Sequence, residues 1–182
     1  MKNNILYIVV PCYNEEEVLT ETTKQLKAKL EDLIEKKVIA KESRVMYVND
    51  GSKDKTWQLI EKISKENELF TGISLSRNRG HQNALLAGLM TAKEYADIVI
   101  SMDADLQDDI NAIDDMLKKY YEGCDIVYGV RSSRKKDTWF KKTTAQAFYK
   151  FMKLMGVDIV YNHADSRLTS RKVLEHFAEY KE

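Results

Sequence analysis

Residues 101–109 read S-M-D-A-D-L-Q-D-D, with four aspartates in seven positions directly after the apolar run I-V-I. Like charges this close repel, and a folded protein tolerates them only where something compensates. Two compensations are chemically distinct. A hard cation such as magnesium or manganese takes carboxylate and amide oxygens and commonly shares itself with substrate phosphates. The first turn of a helix instead takes acidic residues through its free backbone amides and its dipole. Asp103 and Asp105 stand two apart at a strand end, so their side chains can project to one side, and Gln107 joins them if the backbone stays extended. These three are the candidate metal ligands. Asp108 and Asp109 fall where the next helix should begin and read as its acidic start.

The elements that must position such a cluster alternate along the chain. Short β-branched runs at 5–10, 44–48, 70–75, 97–102 and 125–130 read as strands. Between them, helical spacing predicts helices over 15–37, 53–66, 82–95 and 109–122. The first carries Leu19, Leu26, Leu30 and Leu33, the second would bury Trp57, Ile60 and Ile63, and the third has an apolar face of small residues. A helix over 143–155, a last strand over 166–170 and a terminal helix complete the reading. Strand and helix in alternation predict an α/β fold: a mostly parallel sheet flanked by helices. Ligands of such sheets bind at the carboxyl ends of the strands. The polar stretches P-C-Y-N-E-E, N-D-G-S-K-D, S-R-N-R-G-H-Q, D-A-D-L-Q-D-D and V-R-S-S-R-K-K-D all follow strands, so five loops should converge on one edge. In the third of them, Gly80 suits a backbone angle other residues resist. His81 reads as a hydrogen-bonding residue at a helix start rather than a base.

Composition narrows the ligand. The chain has 182 residues, enough for one well-buried domain, with 29 basic against 29 acidic side chains and no overall charge toward nucleic acid. Cys12 and Cys124 form no C-x-x-C motif and read as small buried residues in a reduced, intracellular setting. The N-terminal apolar run reads as a strand rather than a signal peptide, and no run reaches the about 18 apolar residues of a membrane span. Neither G-x-G-x-x-G nor G-x-x-x-x-G-K-[ST] occurs, which counts against a dinucleotide-binding Rossmann domain and a P-loop enzyme.

Taken together, V-V-P-C-Y-N-E-E, V-N-D-G-S-K-D-K-T, S-R-N-R-G-H-Q-N-A-L-L-A-G-L and M-D-A-D-L-Q-D resemble the family 2 glycosyltransferases of GT-A fold. The similarity is to the branch of dolichyl-phosphate mannose synthases and undecaprenyl-phosphate glucosyltransferases, and A-D-S-R-L-T-S-R-K-V extends it to about residue 173. The resemblance implies that Pro11, Tyr13 and Glu15 line the nucleotide base and ribose and that Asp50 accepts a hydrogen bond from the base. It implies that Asp103 faces ribose and metal, while Asp105 and Gln107 coordinate the magnesium or manganese that bridges the diphosphate. Arg131 would face the acceptor or phosphates, and Arg167 would bind phosphate.

The implied reaction is inverting transfer of a sugar from a UDP- or GDP-sugar donor to a polyprenyl phosphate. A phosphate acceptor is largely ionised at neutral pH and needs cations more than a base. Residues 131–142, R-S-S-R-K-K-D-T-W-F-K-K, carry six basic side chains against one acid and suit an anionic membrane surface, or else a solvated loop. Two alternatives stay open: a polysaccharide glycosyltransferase acting on a sugar hydroxyl with Asp165 as base, and a non-catalytic nucleotide-sugar-binding module. A receiver-like signalling domain fits the motifs less well. Residues 1–182 are expected to form a single GT-A catalytic domain, a fragment of a longer chain with C-terminal membrane helices. It would be cytoplasmic, or at the cytoplasmic face of the membrane in the full-length protein, and weak activity is expected of it alone toward a membrane-embedded acceptor.

Overall fold

The computed structural model describes residues 3–105, 109–130 and 163–179. Gln107, Asp108, Arg131, the basic run 131–142 and the predicted helix over 143–155 lie outside the described residues. So do the side chains of residues 163–165, including Asp165.

The elements alternate as their patterns predict: β1 (Leu6–Cys12), α1 (Leu19–Glu35), β2 (Arg44–Asn49), α2 (Thr56–Glu66), β3 (Phe70–Ser74), α3 (His81–Ala92), β4 (Ile98–Ser101), α4 (Ala112–Tyr121), β5 (Ile126–Val130), β6 (His163–Ser170) and α5 (Arg171–Glu179). The strands form one sheet in the order β3-β2-β1-β4-β6-β5. β1 pairs in parallel with β2 and β4, and β2 with β3. β6 is antiparallel to both of its neighbours, so β5 points the same way as β1 to β4. The mostly parallel α/β sheet is therefore as expected. The last strand starts earlier than its apolar pattern suggested, and it enters the sheet from the edge at which the other five end.

Strands buried on both faces explain the continuous apolar runs. Leu6, Ile8, Val10, Ile98, Ile100 and Leu168 face one layer with Leu26, Leu30, Ile60, Ile113 and Leu117 of α1, α2 and α4. Val9, Val48 and Val99 face the other with Ala84 and Ala92 of α3 and Leu174 of α5. Pro11 is accommodated within β1 because of register. The Val9 carbonyl accepts from Met102, so residues of that parity point toward β4, and the last β1–β4 pair is Val9 with Ser101. Pro11 lies beyond that pair, where its missing N–H leaves no strand partner unsatisfied.

Helix starts are later than predicted in three places. α1 begins at Leu19 because the Glu15 and Glu16 amides are taken by Thr56 and Asp54, while the Glu15 carbonyl accepts from Val18 and Leu19. α2 begins at Thr56, whose amide and hydroxyl both donate to Asp54. α4 begins at Ala112; Asp109 precedes it, accepting the Asn111 amide at 2.9 Å, and Asp114 and Asp115 supply the acidic first turn. One cysteine expectation needs correcting: Cys12 is buried, but Cys124 is exposed, because it lies in the tight turn that leaves α4. Among the described residues no helix is long and apolar enough to cross a membrane.

α3 lies on β1 and β2 through a small-residue seam of Ala84, Gly88 and Ala92. A Cβ at Gly88 would stand 2.4 Å from Val9 Cγ1 and 2.7 Å from Val48 Cγ2. Helix propensity favours Gly88→Ala by about 1 kcal/mol. Overpacking two buried β-branched side chains costs ~1–3 kcal/mol. Gly88→Ala is therefore expected to destabilise, lowering the urea midpoint without a change in slope; a raised midpoint would show that α3 can lift off the sheet freely.

Candidate active site

The loops that follow β1, β2, β3 and β4 meet at the carboxyl edge and are fastened to one another by side chains. The first and second interlock reciprocally. The Asn14 amide donates to Ser52 Oγ at 3.0 Å, and Asn14 Oδ1 accepts from the Lys53 amide at 2.9 Å. The Glu15 amide donates to Thr56 Oγ1 at 2.8 Å, and Glu16 accepts from the Lys55 amide at 2.9 Å. Asn14 holds a φ of 56°, a left-handed conformation that asparagine tolerates better than most residues.

Asp50 joins the second loop to the third. Its carboxylate is 2% exposed and accepts the Arg79 amide at 2.7 Å and the Gly80 amide at 2.9 Å. The adjacent Gly51 has φ +64°, and a Cβ there would meet the Arg77 carbonyl carbon and the Asn78 nitrogen at 2.5 Å. Only glycine lets the two backbones approach this closely. Gly80, at φ +87°, then turns the chain into α3, as its place in the sequence suggested. Asp50 is thus a tether between loops, a role the resemblance did not imply.

The third and fourth loops meet through His81, the first residue of α3, whose Nε2 is 3.7 Å from Asp103 Oδ1. It does stand at the helix start, but it faces the acidic cluster across the crevice. The chain leaves β4 and turns at Ala104–Asp105 instead of staying extended. Buried Thr22 of α1 secures this turn by donating to the Ala104 carbonyl at 2.6 Å. Asp103 and Asp105 both act on Glu15. Burial pushes the Glu15 carboxyl above the usual carboxylate range, and the charges of Asp105, Asp54 and Asp103 push it the same way. Three of the expected site residues therefore share one negative field. Among the described residues no three His, Cys, Asp or Glu side chains are gathered as a complete metal cage.

Of the other expected residues, Pro11 is buried and Tyr13 is exposed at the end of β1. Arg167 lies on β6 directly across from Ser101 of β4 and from Tyr128 of β5. Its guanidinium stacks on the Tyr128 ring, 4.6 Å from the centroid. The antiparallel entry of β6 carries this cation to the crevice. Tyr128 and Asn14 escaped sequence reading. Parity along β5 was the one available signal for the tyrosine, and it says nothing without the strand order.

Two outcomes test this site. Asp50→Asn keeps the shape but turns an N–H₂ toward backbone donors, which should cost about 1–3 kcal/mol. Hydrogen exchange at Arg79 and Gly80 should accelerate while the β1 and β2 amides stay protected; unchanged exchange would remove Asp50 as the tether. Glu15 holds its proton to higher pH folded than unfolded, so it weakens the fold as pH rises through the window between those two pKa values, and continues to do so above it. Glu15→Gln is expected to raise Tm at pH 7 in metal-free buffer and to leave it unchanged below about pH 4. An equal shift at both pH values would place the effect in packing.

Residues 7–177 match the family model described as glycosyl transferase family 2. The uncharacterized glycosyltransferase YkoT of Bacillus subtilis is 56% identical over 178 residues, 98% of this chain and 53% of that protein. A prophage bactoprenol glucosyl transferase homolog of Escherichia coli is 37% identical over 170 residues, 93% of this chain and 53% of that one. The chain thus spans about half the length of the curated relatives it matches. Mannosyl-3-phosphoglycerate synthase from Rubrobacter xylanophilus shares the fold with a TM-score of 0.66 at 16% identity, over 93% of this chain and 54% of that one. A mannosyltransferase from Pyrobaculum calidifontis, solved in complex with GDP-Man and Mn2+, does so with a TM-score of 0.61 at 20% identity, over 97% and 47%. With its motifs on four fastened loops and its sheet matching these structures, the chain belongs to glycosyl transferase family 2 and has the GT-A fold.

Proposed function

We propose that this family 2 domain moves a sugar from a UDP- or GDP-sugar to a polyprenyl phosphate at the cytoplasmic face of a membrane, in one inverting displacement. The observation that carries the reading is the meeting, at one sheet edge, of an acidic cluster with a cation. Glu15, Asp103 and Asp105 share a negative field, and Arg167 stands across from Ser101, two residues before Asp103. The 37% identity to a bactoprenol glucosyl transferase homolog favours a lipid phosphate over a sugar hydroxyl as acceptor.

The residues suit a magnesium or manganese ion. Such ions are commonly held by one or two carboxylates and completed by substrate phosphates, and the repulsion felt at Glu15 is what a cation would relieve. Asp103, Asp105 and Gln107 would hold it. Bound there, it would neutralise charge developing on the leaving diphosphate. Pro11, Tyr13 and Glu15 would line the nucleoside, with Asp50 beside the base. An acceptor phosphate oxygen forms the new bond to the anomeric carbon while the bond to the diphosphate breaks, its electron pair leaving with the nucleoside diphosphate. The acceptor's second pKa is about 6, so no residue must take a proton from it at pH 7. Arg167 and Arg131 would orient the phosphates. A sugar hydroxyl would instead need a base, and Asp165, two residues before Arg167 on β6, would be the candidate.

Calorimetry of UDP, GDP and their sugars with and without manganese tests the donor, and transfer to undecaprenyl phosphate against an oligosaccharide tests the acceptor. Asp105→Ala is expected to abolish the manganese enhancement of nucleotide binding and to cut kcat/KM by roughly 10²–10³-fold. Turnover like that of the unsubstituted protein in this variant would overturn the assignment.

A further inference from the structure

A groove of about 520 Å³ runs between α3 and α5 over β4, β6 and β5, and opens into the crevice at His81 and Arg167. Its volume is that of a small-molecule site, which is typically about 300–1,000 Å³. The walls away from the crevice are mostly apolar, built by Leu86 and Leu89 of α3, Ile126 of β5, and Val173 and Phe177 of α5, with Thr169 of β6 among them. Three of these large side chains face solvent: Leu86 is 39% exposed, Ile126 42% and Phe177 54%. Exposed apolar side chains scattered singly need no explanation, but several lining one groove mark a binding surface. Among the described residues lining the groove, Arg167 carries the one permanent charge, and it lies at the crevice end.

The layout follows from the fold. α3 fully buries only its small residues against the sheet, so Leu85 and Leu89 pack partly against the core at its flank and Leu86 is left exposed. Alternation along β5 and β6 sends Val127 and Leu168 into the opposite core, and leaves Ile126, Tyr128 and Arg167 to the groove.

We propose that this groove receives the hydrocarbon chain of the acceptor, with the acceptor's phosphate at Arg167 and its isoprenoid units laid along Leu86, Leu89, Ile126 and Phe177. The inference rests on the lipid-phosphate reading above and adds to it the path of the lipid. One cationic end on a trough walled by Leu86, Leu89, Ile126, Val173 and Phe177 is complementary to a single-headed anionic amphiphile.

Calorimetry with farnesyl phosphate, isopentenyl phosphate and inorganic phosphate tests the groove directly. The unsubstituted chain should bind farnesyl phosphate at least about ten-fold more tightly than isopentenyl phosphate. Leu86→Asn and Phe177→Gln should each erase most of that difference. Both positions are solvent-facing, so thermal unfolding should be nearly unchanged. Tyr95→Ser, at an exposed aromatic outside the groove, should bind normally. Equal affinity for the two prenyl phosphates, or normal farnesyl phosphate binding by both groove variants, overturns the proposal. Sugar transfer to undecaprenyl phosphate separates it from the acceptor reading. Transfer with an unchanged KM in the groove variants discards the groove and keeps the acceptor. Groove-dependent binding of farnesyl phosphate without transfer to any prenyl phosphate keeps the groove and discards the acceptor.

Discussion

The Asp50 carboxylate, buried at the end of β2, accepts the amides of Arg79 and Gly80, and the arrangement of the sheet edge hangs from that contact. A polar group so far from water is tolerated only when its oxygens are occupied, and two backbone donors occupy them. The constraint travels outward from there. Gly51 allows the second loop to lie against the third, Gly80 turns the chain into α3, and His81 comes to rest opposite Asp103. On the other side, Asn14, Ser52, Glu15 and Thr56 lock the first loop to the second. Loops at the end of a parallel sheet would otherwise be its most mobile parts, and here each has a neighbour to hold it.

Rigidity matters because the charges at this edge repel. Glu15, Asp103 and Asp105 could relieve their strain by swinging apart if their loops were free. Thr22 holds the turn that carries Asp103 and Asp105, and the Glu15 amide is held by Thr56. The unfavourable field is therefore held in place by the fold. Opposite it, the stacking of Arg167 on Tyr128 fixes the position of a positive charge without neutralising it, since a ring face attracts a cation but accepts no proton.

The two faces of the sheet are covered differently. α1, α2 and α4 bury large leucine and isoleucine side chains, whereas α3 meets the sheet through alanine and glycine. Close approach on that side leaves Leu85 and Leu89 only partly covered and Leu86 exposed beside the crevice.

Much of this was legible in the residues themselves. Continuous apolar runs of strand length and leucines at helical spacing led to the α/β sheet. Turn residues after each strand led to the edge where the site lies. Helix starts were read three or four residues early at Leu19, Thr56 and Ala112, because each follows a turn whose amides are satisfied by side chains from elsewhere in the chain or the turn itself. Such partners leave no periodic trace. The exposure of Cys124 leaves no trace for a similar reason, since one residue in a turn belongs to no periodic pattern.

Neighbours within a few positions set the described strands and helices of the sheet, the direction of the main strands and the chemical character of each loop. Only the tertiary structure decided that β6 slips between β4 and β5 in the opposite sense, which brings Arg167 opposite Ser101 and onto Tyr128. It also decided that Asp50 spends its charge on backbone amides some 30 residues away. Strand order and long-range hydrogen bonds are settled by packing among distant segments, and no local spacing encodes them.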